Sequence, residues 1–176
     1  LELSRGEQRR VLIARGVAFG PSVLLLDEPA SGLDARARVD LDAMLELVAR
    51  ECTLVCAAHL PDDLPAWIPR HLFIEGGGVE AVERTPSARA AAQAAPSAAP
   101  AIGVPEASAS APLIALERAD VWLAGRHVLR DVSWRLMQGE HWLVTGANGS
   151  GKSTFLRVLH GQLRPALGGT VSWPAL

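Results

Sequence analysis

Gly146-Ala147-Asn148-Gly149-Ser150-Gly151-Lys152-Ser153 leaves this 176-residue chain few choices of fold. The run fits G-x-x-x-x-G-K-[ST], a loop that wraps phosphate. Its glycines let the backbone curl until successive N–H groups point inward at phosphate oxygens. The helix that follows aims its positive N-terminal end at the same anion. Lys152, the only lysine in the chain, supplies a point charge for the β- and γ-phosphates, and the Ser153 hydroxyl is placed for Mg²⁺. A glycine-rich turn is the plain reading of such a run. The flanks argue against it: residues 141–145 read as a buried strand, and 153–160 as a helix with Phe155, Leu156 and Leu159 on one side.

The length allows one domain of ordinary size with a real core. A net charge of −2 advertises no surface for nucleic acid. No apolar run approaches the ~18 residues of a bilayer span, and no charged-then-apolar leader marks the chain for secretion. A membrane role is therefore expected to come through a partner. Cys52 and Cys56 share a face of one expected strand at ~13 Å, too far apart for a disulfide. They read as small buried hydrophobes in a reducing compartment, and no second Cys/His pair completes a zinc site. The chain opens at Leu1 inside a motif and stops at Leu176 just past a strand. It is expected to be a piece of a longer protein.

Leu3-Ser4-Arg5-Gly6-Glu7 opens a helix expected to reach about Ala18, with Ser4 and Glu7 as a capping box. Val23-Leu24-Leu25-Leu26 reads as a strand buried on both faces of a parallel sheet. It ends in Asp27-Glu28-Pro29, where α/β folds place their ligands. Asp27 suits Mg²⁺ and Glu28 a general base that polarises water; an acidic turn is the plainer reading. After a turn at Ser31-Gly32-Leu33-Asp34, residues 35–50 read as a helix with Leu41, Leu45 and Val48 inward. Residues 52–58 form a second buried strand ending at His59, which either contacts a γ-phosphate or is a satisfied structural histidine. Residues 71–74 and 79–82 form a hairpin around Gly76-Gly77-Gly78. Residues 85–112, rich in Ala, Pro and Ser, read as a flexible linker spanning about 30 Å. Structure resumes at Leu113, with strands either side of Gly125-Arg126 and a half-buried antiparallel strand through Val132, Trp134 and Leu136. Trp122 is either a core aromatic or a ring that stacks on adenine. Residues 170–173 form the last strand.

Taken together, these motifs resemble the ATP-binding-cassette (ABC) ATPase family. Residues 146–153 are similar to its Walker A motif, 3–7 to its signature, 23–28 to Walker B with the catalytic glutamate, 31–34 to its D-loop, His59 to its switch histidine and Trp122 to its A-loop aromatic. The resemblance covers nearly all of the chain except the linker. It implies an α/β fold of the P-loop NTPase type, a parallel sheet with an antiparallel β subdomain. It also implies an ATPase with Mg²⁺ as cofactor, catalytic Glu28 and His59, and metal contacts at Ser153 and Asp27. ATP would be bound by Trp122, Gly146, Asn148, Gly149, Ser150, Gly151, Lys152, Ser153 and Thr154, and across an interface by Ser4 and Gly6. Arg5 and Glu7 stand where the family has glycine and glutamine.

Motif order is inverted relative to one cassette. The simplest account is a tandem protein: 1–84 as the end of one cassette, 113–176 as the start of the next. Glu7 and the lead-in Glu140-His141-Trp142 resemble tandem ATPases associated with molybdate transport. The family's architecture implies two cassettes packed head to tail, a transmembrane permease partner, and a cytoplasmic place at the inner face of the membrane. Soluble ABC proteins acting on ribosomes or DNA are a rival, and so is a fragment that holds ATP without turnover. Two arrangements remain open. In the tandem one, Lys152 faces Ser4 and Gly6. In the other, the halves assemble as a circularly permuted single cassette: residues 141–145 fill the sheet slot between 54–58 and 71–74, and Lys152 lies near Asp27, Glu28 and His59. An unfilled slot would expose two inner strand edges.

Overall fold

Residues 4–60, 63, 65–83 and 111–175 are described by a computed structural model. Helix α1 (Arg5–Val17) starts as its capping box dictates: the Glu7 N–H donates to Ser4 Oγ at 3.3 Å, and the Ser4 N–H to the Glu7 carboxylate at 2.8 Å. Helix α2 (Ala35–Val48) is capped by Asp34, which accepts from the Ala37 N–H, and buries Leu41, Leu45 and Val48. Four strands come from the first half: β1 (Val23–Asp27), β2 (Thr53–Ala58), β3 (Arg70–Glu75) and β4 (Gly78–Glu83). The second half adds β5 (Ile114–Leu123), β6 (Arg126–Leu136), β7 (Trp142–Thr145), α3 (Lys152–Leu159) and β8 (Thr170–Ser172). The linker expected over 85–112 lies outside the described residues, apart from its last two.

The larger sheet runs β1-β2-β7-β3-β4. β7 pairs in parallel with β2 on one side, Val55 opposite Trp142 and Ala58 opposite Thr145. It pairs in parallel with β3 on the other, Arg70 opposite Trp142 and Phe73 opposite Thr145. Both halves therefore build one sheet, as the slot argument expects, and the arrangement with separate sheets is not the one this chain adopts. The smaller sheet, β6-β5-β8, is antiparallel, with register shifts along β5 that curl its hairpin.

Period-two alternation feeds two cores from the central strands. Leu54, Cys56, Ala58 and Leu143 face Ile13, Leu41 and Leu45 of α1 and α2. Val55, Ala57 and Val144 face Phe155 and Leu159 of α3 and Leu116, Leu129 and Trp134 of the antiparallel sheet. Burial pushes the Cys56 thiol up to about 12, so this cysteine packs as an inert hydrophobe. One expectation needs correction. β1 is half-buried, not buried on both faces, because it is the edge strand with β2 on one side only.

Polar bonds stitch the halves together. The Gly139 N–H donates to Thr53 Oγ1 at 2.9 Å, the Leu54 N–H to His141 Nδ1 at 3.1 Å, and Arg70 pairs with Glu140 at 2.9 Å. Burial lowers the pKa of His141, because desolvation disfavours the charged ring. The sign follows directly. Above the ordinary histidine value of about 6.5 neither the folded nor the unfolded ring is charged, and the stability is complete. As pH falls through that value, the unfolded chain takes up a proton that the folded ring refuses, and stability drops. The urea midpoint is expected to be lower at pH about 5.5 than at 7.5, and His141→Gln is expected to flatten that difference. An unchanged pH profile in the variant would remove His141 from this account.

Candidate functional site

β7 ends where the chain must turn sharply. Gly146 has φ +153°, and a Cβ there would run into the Ile74 carbonyl oxygen and sit 2.6 Å from Ser150 Oγ. Only glycine lets the loop leave the sheet this close to β3. The loop then rises into α3, whose N-cap is Gly151 at φ +116° with no side-chain cap. The first-turn N–H groups of α3 thus have no capping side chain and point out of the helix. Lys152 is buried, its Nζ donating to the carbonyls of Gly146 at 2.9 Å and Ala147 at 3.2 Å. Ser150 Oγ is buried without a hydrogen-bond partner. A glycine cradle, an uncapped helix end, a held ammonium and an orphaned hydroxyl together fit a polyphosphate.

An open cleft of about 820 Å³ runs along this loop. Asn148, Gly149, Ser150, Gly151, Lys152, Ser153 and Thr154 line it on one side, and Glu28 reaches it from the end of β1. Facing them are the β3–β4 turn and the tip of the β5–β6 hairpin, including Leu123, His127 and Arg130. Glu28 has φ +46°, a left-handed conformation that a glutamate adopts at a cost of order 1 kcal/mol. Its N–H still bonds the Ala57 carbonyl at 2.8 Å, extending the β1–β2 ladder, while its own carbonyl accepts from Ser31. The strand is thereby turned and the carboxylate set beside the loop.

His59 is exposed at the end of β2 and lines a smaller hollow of about 270 Å³ next door, shared with Glu28, Asn148 and Ser31. Asp27 is exposed one residue before Glu28, in one row with Ala57 and Val144, but lines neither cavity. Mg²⁺ would be held from this chain by Ser153, which is exposed in the cleft. Ser4 and Gly6 lie elsewhere. Ser4 is committed to capping α1, and Gly6 packs toward Ala37 of α2, where an added Cβ would be 3.2 Å from the alanine methyl. The cleft thus joins Lys152 to Glu28 and not to Ser4, the partnership expected of the permuted arrangement.

One of the two readings of Trp122 falls. It is 55% exposed, so it is no core aromatic; the adenine-stacking alternative is the one that stays open. Its ring stacks on His127. Sequence reasoning missed His127 and its partner Asp120, which meet across the turn at Gly125. It also missed Arg38, which bonds the Leu33 carbonyl at 3.2 Å and Asp63 at 3.0 Å, tying the loop after β1 to the one after β2. The hairpin at Gly125-Arg126 could have exposed the first pair; nothing local signals the second.

A mostly parallel sheet that delivers a glycine loop and a helix N-terminus to the end of an inner strand is a P-loop α/β fold. The ABC transporter family model matches residues 1–31 and 129–174. An uncharacterised ABC transporter ATP-binding protein of Schizosaccharomyces pombe is 30% identical over 172 residues, covering 92% of this chain and 34% of that protein. The Escherichia coli ABC transporter ATP-binding protein ModF is 31% identical over 175 residues, covering 90% and 35%. An aliphatic sulfonates import ATP-binding protein, SsuB, of Burkholderia pseudomallei is 37% identical over 95 residues, covering 53% and 29%. The chain is similar to ABC ATP-binding proteins along most of its length. It spans about a third of the length of the Schizosaccharomyces pombe and Escherichia coli proteins. Among the described residues, no helix is long and apolar enough to cross a membrane.

Proposed function

We propose that the chain binds Mg-ATP in the cleft along residues 146–154 and hydrolyses it as part of a tandem ABC ATPase that energises transport through a membrane permease. The observation that carries this is the meeting of Lys152 and Glu28 on one cleft. Lys152 and the N–H groups of the loop and first turn of α3 bind and orient the triphosphate. Mg²⁺, when bound at Ser153, neutralises the charge that builds on the β- and γ-oxygens. Glu28 orients the attacking water and takes its proton. His59, beside Glu28, orients the γ-phosphate from the neighbouring hollow. Asp27, exposed one residue before Glu28, would contribute a carboxylate toward the cation. Ser4 and Gly6 serve a nucleotide on another cassette, packed head to tail. Domains 1–84 and 113–176 come from successive cassettes joined by the linker and assemble here as one permuted cassette, on the cytoplasmic face of the membrane. Glu7 and Glu140-His141-Trp142 favour a system associated with molybdate.

Lys152→Ala is expected to weaken Mg-ATP binding at least tenfold, about 1.4 kcal/mol or more, in a calorimetric titration. Equal affinity for both proteins would end the phosphate-loop reading. A second reading, binding without turnover, is favoured by the place of Ser4 and Gly6, which lie on α1 beside α2 and away from the cleft that holds Lys152 and Glu28. A phosphate-release assay separates the two.

A further inference from the structure

The strands that deliver Glu28 and His59 part company at their ends. The β1–β2 ladder closes with the bond from the Glu28 N–H to the Ala57 carbonyl at 2.8 Å, and past it each chain turns into a loop. Arg38, in the first turn of α2, bridges the two loops. Its Nε donates to the Leu33 carbonyl at 3.2 Å and its Nη1 to Asp63 Oδ1 at 3.0 Å. Each end of this tie is held in turn. On one side, the Leu33 N–H donates to the Ala30 carbonyl at 3.3 Å, and the Ser31 N–H to the Glu28 carbonyl at 3.1 Å. On the other, Asp63 Oδ2 accepts the Leu60 N–H at 3.3 Å, and the Asp63 N–H donates to the Leu60 carbonyl at 3.2 Å. Leu60 directly follows His59. The start of α2 is fixed by Asp34, which accepts the Ala37 N–H at 2.8 Å. The guanidinium therefore stands on a capped helix and not on a loop.

The side chains of Arg38 and Asp63 are 44% and 31% exposed, and an ion pair this exposed adds little to stability. Its importance lies in what its two ends carry. Glu28 keeps a left-handed backbone, φ +46°, which persists only where its surroundings enforce it. A guanidinium fork fixes two acceptors at a set spacing, as a single ammonium does not. We propose that Arg38 and Asp63 are positioning residues for hydrolysis: the pair locks the loop after β2 to the loop after β1, so that His59 and Glu28 are aimed at one γ-phosphate. The inference rests on the hydrolytic reading of the cleft. Nucleotide binding, made by the phosphate loop, does not pass through the pair.

The test is phosphate release by the full chain at saturating Mg-ATP, with Mg-ATP affinity from calorimetry and the urea midpoint measured on the same samples. Arg38→Ala and Asp63→Ala are each expected to lower kcat roughly ten- to hundredfold, the scale of a misplaced reacting group. Affinity and urea midpoint are expected to stay at the wild-type values. The double variant is expected to lose no more than the worse single one, because both changes cut the same tie. Arg10→Ala is the control. It removes another exposed pair on α2, Arg10 with Asp40 at 3.2 Å, which joins α2 to α1, and it is expected to leave kcat unchanged. Should either alanine variant fail to fold, Arg38→Gln and Asp63→Asn are read in the same way. The proposal is wrong if kcat holds in both single variants, if their losses multiply in the double one, or if Arg10→Ala loses as much. It is equally wrong if affinity falls in step with kcat, since the pair then serves binding. Each of these results leaves the wild-type activity, and the hydrolytic reading, standing. A wild-type chain that binds Mg-ATP and releases no phosphate overturns that reading and this inference with it.

Discussion

Glu28→Gln is expected to cut phosphate release from ATP by about 10²- to 10⁴-fold, the usual loss on removing a positioned general base. Glutamine keeps the length and shape of the side chain, exchanges one acceptor oxygen for a donor NH2, and loses the charge and the basicity. The backbone is set by the Ala57 and Ser31 bonds, which the substitution does not touch, so the strained turn survives. Mg-ATP affinity is expected to hold or tighten, because a negative charge is removed beside a triphosphate. The measurement is phosphate release under saturating ATP, with affinity determined separately. Undiminished release with intact binding would move the base elsewhere, and His59 would be the next residue to change.

A second large effect is expected in stability. Phe155→Ala is expected to cost about 3–5 kcal/mol in urea denaturation, the range for emptying a buried aromatic site. Phe155 is fully buried beneath the phosphate loop, its ring edge-on to Trp134 at 5.2 Å, and Trp134 is in turn edge-on to Trp142 at 5.3 Å. Trp142 lies in β7, between strands of the other half. A hole under α3 should therefore weaken both halves together: tryptophan fluorescence and far-UV circular dichroism should shift as one transition. Two separated transitions would mean that the halves hold together only loosely.

Whatever rests on neighbours in the chain was legible before the structure. Residues 141–160 announce strand, loop and helix because glycine freedom, a lone lysine and a helical stripe follow one another. Ser4 and Glu7 cap their helix from three residues apart, and Leu41, Leu45 and Val48 mark their face by spacing alone. Errors arose where the answer belongs to a distant neighbour. The apolar run at 23–26 looks fully buried, yet burial depends on whether a strand has one partner or two, and no local pattern says which. Trp122 looked like a core ring or a base platform. Its 55% exposure removes the core alternative, and the bulges of β5 make the side it faces hard to count from the sequence. His141, whose side chain bonds a backbone 87 residues away, shows the same limit from the other direction. The slot between β2 and β3 was the exception: a sheet that lacks a strand and a strand that lacks a sheet are both visible in the sequence.

That placement of β7 bears on how the protein is made. About 70 residues separate the end of β3 from the end of β7, and a ribosome adding roughly 5–20 residues per second needs several seconds to cover them. When residues 1–176 are synthesised by themselves, the strands already made present, throughout that interval, two open ladders of N–H and C=O groups facing each other across a gap one strand wide. Any passing extended segment can occupy it, including one from a neighbouring nascent chain. The late strand must displace such occupants, so at high expression the yield of correctly assembled protein should depend on how fast translation delivers Trp142 to Thr145, and on the chaperones that shield the gap until then.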